Sequence, residues 1–187
     1  MNRLEIRLSG FGGQGIVRSG EIIGKAAAIY DGRHATFTQS YGPESRGGAA
    51  AAQVAIADDP VELSYPHVID PSILVIMSQG AYNKYVPGFR RDGLLVVDED
   101  LVELDEAAEG LRILKVPATR LAEELGRRIV ANVVMLSFLA AVTAIVSPQA
   151  MKRAVLDSVP RGTEELNERA FETGLQFAQE LVTEAGS

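Results

Sequence analysis

The period of the apolar positions changes several times along the chain, and each change marks an element. From Leu4 to Ser9 apolar residues alternate with charged ones, Arg3, Glu5 and Arg7 falling on one side, which predicts a half-buried strand. Between Gln14 and Tyr30 the residues Ile16, Gly20, Ile23, Ala27 and Tyr30 share one helical face, and Asp31-Gly32 supplies a turn to end the helix. His34 to Gln39 reads as a second strand and "SYGPESRGG" as a loop, because glycines flank its proline. "AAAAQVAIA", residues 49–57, reads as a third strand, closed by Val54 and Ile56 and stopped by Asp58-Asp59-Pro60. "SILVIMS" (72–78) and "GLLVVDED" (93–100) are short apolar runs of the kind buried on both faces of a parallel sheet. Gly80 to Asp92, between them, is short and carries Pro87 and Gly88, so it holds one helix or part of one. Leu111 to Val116 gives a further strand. After Pro117 the pattern turns helical: Thr119 to Arg128, Asn132 to Val146, Pro148 to Ser158, with Pro148 in a first turn, and Glu164 to Glu184. In the last helix Leu166, Ala170, Gly174, Phe177 and Leu181 form one stripe, Thr163 is placed to cap it, and Glu164 and Glu165 complement its dipole.

These elements predict a single domain over residues 1–187. It is an α/β fold, a layered α/β/α domain with a mostly parallel or mixed sheet, a Rossmann-like start and a helical C-terminal third. Composition narrows what it can do. With 47% hydrophobic and 23% charged residues the chain is an ordinary globular protein, and its net charge of -7 argues against a surface that tracks nucleic-acid phosphates. It has no cysteine, which excludes disulfides, thiolate zinc sites and iron–sulfur ligation by this chain. The opening runs straight into a charged, alternating strand, so no secretory signal is expected, and the longest apolar stretch, Val133 to Val146, is interrupted by Ser137 and Thr143. A soluble, cytoplasmic protein without membrane contact is expected.

"SGFGGQGIVRSG", residues 9–20, carries Gly10, Gly12 and Gly15 at the spacing of a dinucleotide fingerprint, with Gly13 inserted. Glycines let the backbone approach a ligand, and free N–H groups at a helix N-terminus attract anions. A nicotinamide dinucleotide also needs an acid at the end of the second strand for the ribose hydroxyls. Gln39-Ser40-Tyr41 stands there, and Asp31 precedes the strand instead of following it. The loop can therefore hold an anion, serve as a dinucleotide site, or merely permit a tight turn. "TQSYGPESRGG", residues 38–48, places Glu44, Ser45 and Arg46 between glycines. It offers a guanidinium fork for carboxylate or phosphate at the carboxyl edge of the sheet, unless Arg46 only shapes its own loop.

Taken together, "GFGGQG", "QSYGPESRGG", "DGLLVVDED", "ANVVMLSFLAA" and "NERAFETG" resemble the gamma subunit of 2-oxoacid:ferredoxin (acceptor) oxidoreductases, in order over nearly the whole chain. The form "YGPESRGG" is more similar to the 2-oxoglutarate branch than to the pyruvate or indolepyruvate branches. The resemblance implies a complex that oxidatively decarboxylates a 2-oxoacid to its acyl-CoA, with alpha, beta and in some cases delta subunits as partners and ferredoxin as acceptor. It implies thiamine diphosphate with Mg in alpha and beta, iron–sulfur clusters in beta or delta, and a gamma domain packed on alpha near the CoA end of the site. On this reading the chain holds no catalytic residue, no metal and no cofactor of its own, and is inactive alone. Gly12, Gly13, Gln14, Gly15, Tyr41, Glu44, Ser45, Arg46 and Gly47 then form one edge surface that docks alpha or contacts CoA. A stand-alone nucleotide-binding Rossmann enzyme and a ligand-free interaction module are the alternatives, and the isolated chain has the further option of self-association.

Other residues fit structural roles. Asn132, heading an apolar helix, reads as a cap or a buried hydrogen-bonding group. His34 and His67 are too far apart in sequence to suggest a metal pair, and the acidic run 98–109 reads as a solvated loop and helix start. Ser19, Ser40 and Ser45 have no histidine nearby in sequence, and "GFGGQG" is not a nucleophile elbow.

Overall fold

The computed structural model describes residues 3–41 and 49–185. Six strands form one mixed sheet: β1 (Leu4–Phe11), β2 (His34–Tyr41), β3 (Ala49–Ala57), β4 (Ile73–Ile76), β5 (Leu94–Asp98) and β6 (Arg112–Val116), in the spatial order β2-β3-β1-β4-β5-β6. The half from β1 to β6 is parallel, while β3 runs antiparallel to both β1 and β2. The expected strand, glycine turn and helix are present, but β3 lies between β1 and β2. An acid at the end of β2 would stand roughly 10 Å, two strand spacings, from the first glycine loop, so the ribose position of a dinucleotide fold does not exist here.

The two faces of β4 and β5 carry separate cores, as the unbroken apolar runs require. Ile73, Val75 and Val96 join Ile6 and Leu8 of β1 against α1 (Ile16–Lys25), α3 (Ala118–Glu124), α4 (Ala131–Val142), α5 (Pro148–Leu156) and α6 (Glu164–Ala185). Leu74, Ile76, Leu95 and Val97 point the other way, against α2 (Gln79–Tyr85) and short turns around Val86, Phe89 and Ala108. The residues of α4 from Ala131 to Ala140 are all buried, because the helix touches α1, α3, α5 and α6. A helix apolar all round can be stable only in such a place.

The first helix is shorter than its periodicity predicts. It starts at Ile16, after Gly15, and beyond Lys25 continues only as a wide π turn, Ala26–Tyr30. The predicted helix 132–146 ends at Val142: Thr143 is extended, and Ile145 and Val146 fill the core from a loop. The charges of β1 serve the segment before β4. Arg3 donates to the carbonyls of Glu62 and His67, Glu5 accepts from the amides of Ile69 and Asp70, and Arg7 donates to Val68 O. Thr163 O accepts the first bond of α6 from Asn167 N, while its hydroxyl donates to Pro160 O. His34 and His67 are exposed, and the acidic run forms a turn-rich loop with a short 3-10 helix, Glu106–Ala108.

Candidate functional site

β1 leads into α1 on one face of the sheet and its parallel neighbour β4 leads into α2 on the other, so the chain reverses direction between these two strands. Open α/β sheets take their ligands in the crevice that such a reversal opens at the carboxyl edge. Here Gln14 bridges the crevice. Its Oε1 accepts from Phe11 N at 2.6 Å and its Nε2 donates to Met77 O at 2.7 Å, tying the ends of β1 and β4 together. A β-carbon on Gly10 would overlap Gln14 Oε1 and lie 2.9 Å from Ile16 Cδ1. The tight turn at the first glycine is thus braced by the protein's own amide.

What is open lies beside this bridge. A cavity of about 260 Å³ is lined by Gly13, Gln14, Met77, Thr119, Arg128, Ile129 and Ala131. Gly15 caps α1 at φ +74°, a left-handed conformation, with no side-chain cap bond. Of the edge residues expected from sequence, the structure therefore places Gly13 and Gln14 on the cavity, Gly12 exposed next to them and Gly15 behind. Tyr41 stands at the same edge but two strands away, since it pairs with Ala50 and Phe11 pairs with Ala49. It is 66% exposed and Phe11 46%. Glu44, Ser45, Arg46 and Gly47 lie outside the described residues.

Sequence reasoning missed Thr119, Arg128 and Ile129, which come from the far half of the chain. The helical pattern predicts Arg128 at the end of a helix, yet α3 stops at Glu124 and Arg128–Val130 forms a separate 3-10 turn at the cavity. The signal was Gly126, whose φ of +87° stops the helix as a glycine following a last turn commonly does. The Arg128 side chain is 61% exposed and, among the described residues, its ion pair is with Glu123 at 3.8 Å, an exposed pair that leaves its charge available. Ile129 is 64% exposed. Among the described lining residues there is no imidazole or carboxylate, and the one hydroxyl is that of Thr119; the arrangement can hold an anion or a partner.

Behind Thr119 sits a buried carboxylate. Asp98, at the end of β5, accepts from Thr119 Oγ1 at 2.6 Å and Thr119 N at 3.1 Å through Oδ2, and from Asp100 N at 3.1 Å through Oδ1. Burial pushes its pKa above the ordinary aspartate value, and the Thr119 bonds partly restrain that rise. A hydrogen bond to a charged group contributes about 1.5–3 kcal/mol, so Thr119→Val should lower stability at pH 7 by roughly that much. The folded pKa lies above the unfolded one. The folded chain then binds the proton more tightly, and stability falls as pH rises from the unfolded value of about 3.9 through the folded one. Acidification protonates Asp98 and relieves the variant, so its deficit should shrink between pH 7 and the acid end of that window. Urea unfolding at both ends checks this; an equal deficit at both would mean that Thr119 acts otherwise than through Asp98.

Asn132 is neither the cap nor the hydrogen-bonded amide expected. Val130 occupies the cap position of α4, and the Asn132 side chain, in a residue only 9% exposed, bonds to no described residue. Its Nδ2 rests instead where a β-carbon of Gly15 would be. Among the described residues, no group of three or more His, Cys, Asp or Glu could hold a metal, and no helix is long and apolar enough to cross a membrane.

A profile of the pyruvate ferredoxin/flavodoxin oxidoreductase family matches residues 5–177. The 2-oxoglutarate synthase subunit KorC of Methanocaldococcus jannaschii is 53% identical over 181 residues, covering 96% of each chain. The solved keto/oxoacid ferredoxin oxidoreductase gamma subunit from Geobacter sulfurreducens superposes with a TM-score of 0.82 at 39% identity, over 95% of this chain and 99% of that one. The 2-oxoglutarate:ferredoxin oxidoreductase from Magnetococcus marinus, solved with 2-oxoglutarate, coenzyme A and succinyl-CoA bound, shares the fold with a TM-score of 0.86 at 24% identity; the match spans 96% of this chain and 32% of that longer one. With the family profile covering most of its length and a relative more than half identical end to end, the chain belongs to the pyruvate ferredoxin/flavodoxin oxidoreductase family and is of its gamma-subunit type.

Proposed function

We propose that this chain is the gamma subunit of a cytoplasmic 2-oxoglutarate:ferredoxin oxidoreductase, and that the carboxyl edge of its sheet packs on the alpha subunit beside the CoA end of the active site. The observation that carries this is the open edge itself. Gln14 braces the glycine turn against the end of β4, and what stays open next to it is a cationic, partly apolar surface whose described lining holds no imidazole or carboxylate. Such an edge suits a subunit that completes a site built mainly by others. The substrate branch follows the KorC relative at 53% identity. The reaction class joins a 2-oxoacid and CoA, releases carbon dioxide, an acyl-CoA and a proton, and passes two electrons to the acceptor. This chain has no cysteine for a cluster, so the clusters belong to other subunits, and the family resemblance assigns thiamine diphosphate with Mg to alpha and beta.

In this reading Gly12, Gly13 and Gln14 present backbone and amide, while Arg46 and Arg128 supply positive charge toward the phosphates of CoA. Tyr41, Glu44, Ser45 and Gly47 complete the surface against alpha. About 260 Å³ is below the 300–1,000 Å³ of a whole small-molecule pocket, so the cavity can take only part of such a ligand. Steady-state assays of the assembled complex with 2-oxoglutarate and a ferredoxin or viologen acceptor test the proposal. A charge-assisted bond of about 1.5 kcal/mol or more converts to roughly tenfold or more in affinity. Arg46→Ala and Arg128→Ala are expected to raise the KM for CoA by about that factor. Unchanged kinetics and unchanged assembly in both variants would remove the edge from the active site. A stand-alone nucleotide enzyme is disfavoured by the strand inserted between β1 and β2.

A further inference from the structure

Two asparagines from separate stretches of the chain, Asn132 of "ANVVMLSFLAA" and Asn167 of "NERAFETG", line one cavity. It measures about 200 Å³ and lies on the other side of the 128–130 turn from the site above, with Ile129 on the wall of both. Its body is apolar, built by Ile22, Val133, Val159 and Leu166. Asn167 is held in place, its Nδ2 donating to Thr163 O at 2.8 Å and Thr163 Oγ1 at 3.1 Å. Asn132 is not: it is nine-tenths buried, lines the cavity and bonds to no described residue. Its amide is not among the buried side-chain groups without a partner, which among the described residues are Arg7 Nε and Glu62 Oε2, so it is presented to the open space of the cavity. At the mouth, Arg18 is 58% exposed and its pairing with Glu21 at 3.3 Å is an exposed one, in a chain whose net charge is -7.

We infer that this cavity is a socket for one apolar side chain of a partner subunit, on a segment whose peptide group meets the Asn132 amide and whose neighbouring carboxylate meets Arg18. The inference rests on the chain being a subunit, as proposed above. Three observations choose a protein segment over a free small molecule. The volume suits a single side chain and falls short of a ligand pocket. Ile129, 64% exposed at the rim, needs a surface larger than a small ligand to cover it. A primary amide carries both donor and acceptor, as a peptide group does, so the two can pair in both directions. Such a buried anchor with a ring of exclusion around it is how interfaces concentrate their affinity.

The test uses two variants that touch this cavity and not the other, Arg18→Glu at the exposed mouth and Ser158→Trp to fill it. Each is co-expressed with the remaining subunits, and the affinity of the chain for them is measured together with its own thermal unfolding. With unfolding unchanged, each variant is expected to weaken assembly at least tenfold, and Arg18→Glu to flatten the dependence of affinity on salt. Assembly at wild-type affinity in both folded variants overturns the socket. So does a small molecule that stays with the isolated wild-type chain in native mass spectrometry and is lost from Ser158→Trp. A Phe11→Asp variant probes the carboxyl edge separately: if it weakens assembly while the socket variants do not, the subunit reading stands and the socket alone fails. If the wild-type chain binds no other subunit, the subunit reading itself fails.

Discussion

Gly15→Ala is expected to destabilise the chain by roughly 2–5 kcal/mol, and a good part of that loss should disappear when Asn132 is also replaced by alanine. Two costs add at this position. A non-glycine residue in the left-handed region loses about 1–2 kcal/mol, and forcing the Asn132 side chain to give way costs up to about 1–3 kcal/mol. Gly15 has φ +74°, and its β-carbon would overlap Asn132 Nδ2 with Asn132 Cγ at 3.1 Å. In an Asn132→Ala background only the backbone cost is left, so Gly15→Ala should then cost about 1–2 kcal/mol. The cycle gives a coupling of about 1–3 kcal/mol, in the range for residues in contact. Chemical unfolding of the four proteins measures it. Additive effects would show that the glycine is required by the turn alone and that the loop and α4 are independent.

Gly174→Ala should be the other severe change, and its sign should oppose that of Gly24→Ala. Alanine in a helix interior is favoured over glycine by about 1 kcal/mol. At Gly24, in α1, a β-carbon would meet nothing within 4 Å, so the substitution should stabilise by up to about that amount. At Gly174, in α6, it would overlap Ser137 Oγ and the carbonyl oxygen of Val134 in α4. The second obstacle is backbone, which no rotamer change clears, so α4 and α6 must move apart. A loss of about 3 kcal/mol corresponds to roughly 6–12 °C in Tm for a chain of this size. Calorimetry on the two single variants decides it; if Gly174→Ala is neutral, the two helices do not approach as closely as described.

The elements themselves were written in the sequence because burial on both faces leaves an unbroken apolar run and burial on one leaves a period. β4, β5 and the stripe of α6 follow from that directly. Strand order does not, because periodicity says which face of a strand is buried and nothing about its neighbours. The antiparallel β3 inserted between β1 and β2 is the instance that matters, since it separates the second strand from the glycine loop. Helix ends were blurred where loop residues are also buried: Ile145 and Val146 continue the apolar pattern of α4 after the helix has stopped.

The site was half legible for a similar reason. Glycines that shape a turn announce themselves locally, and Gly13 and Gln14 do line the cavity. That Gln14 would brace the turn at Gly10 depends on the carbonyl of Met77, sixty-three residues away, and no spacing rule reaches that far. Thr119 arrives at the same edge because a parallel strand delivers its following loop there, whereas Arg128 and Ile129 reach it from the turn after the short helix α3. Gly126 marked the break between them, but only the sheet shows that the break faces the glycine loop.

The central claim is that this fold works as one part of a larger oxidoreductase and not as a nucleotide enzyme of its own. Native mass spectrometry of the assembly recovered from its own host through a tag on this chain tests it most directly. The account predicts that the chain arrives bound to other subunits that carry thiamine diphosphate and iron–sulfur clusters. Recovery of the chain alone, or only with copies of itself and a bound nucleotide, would contradict it.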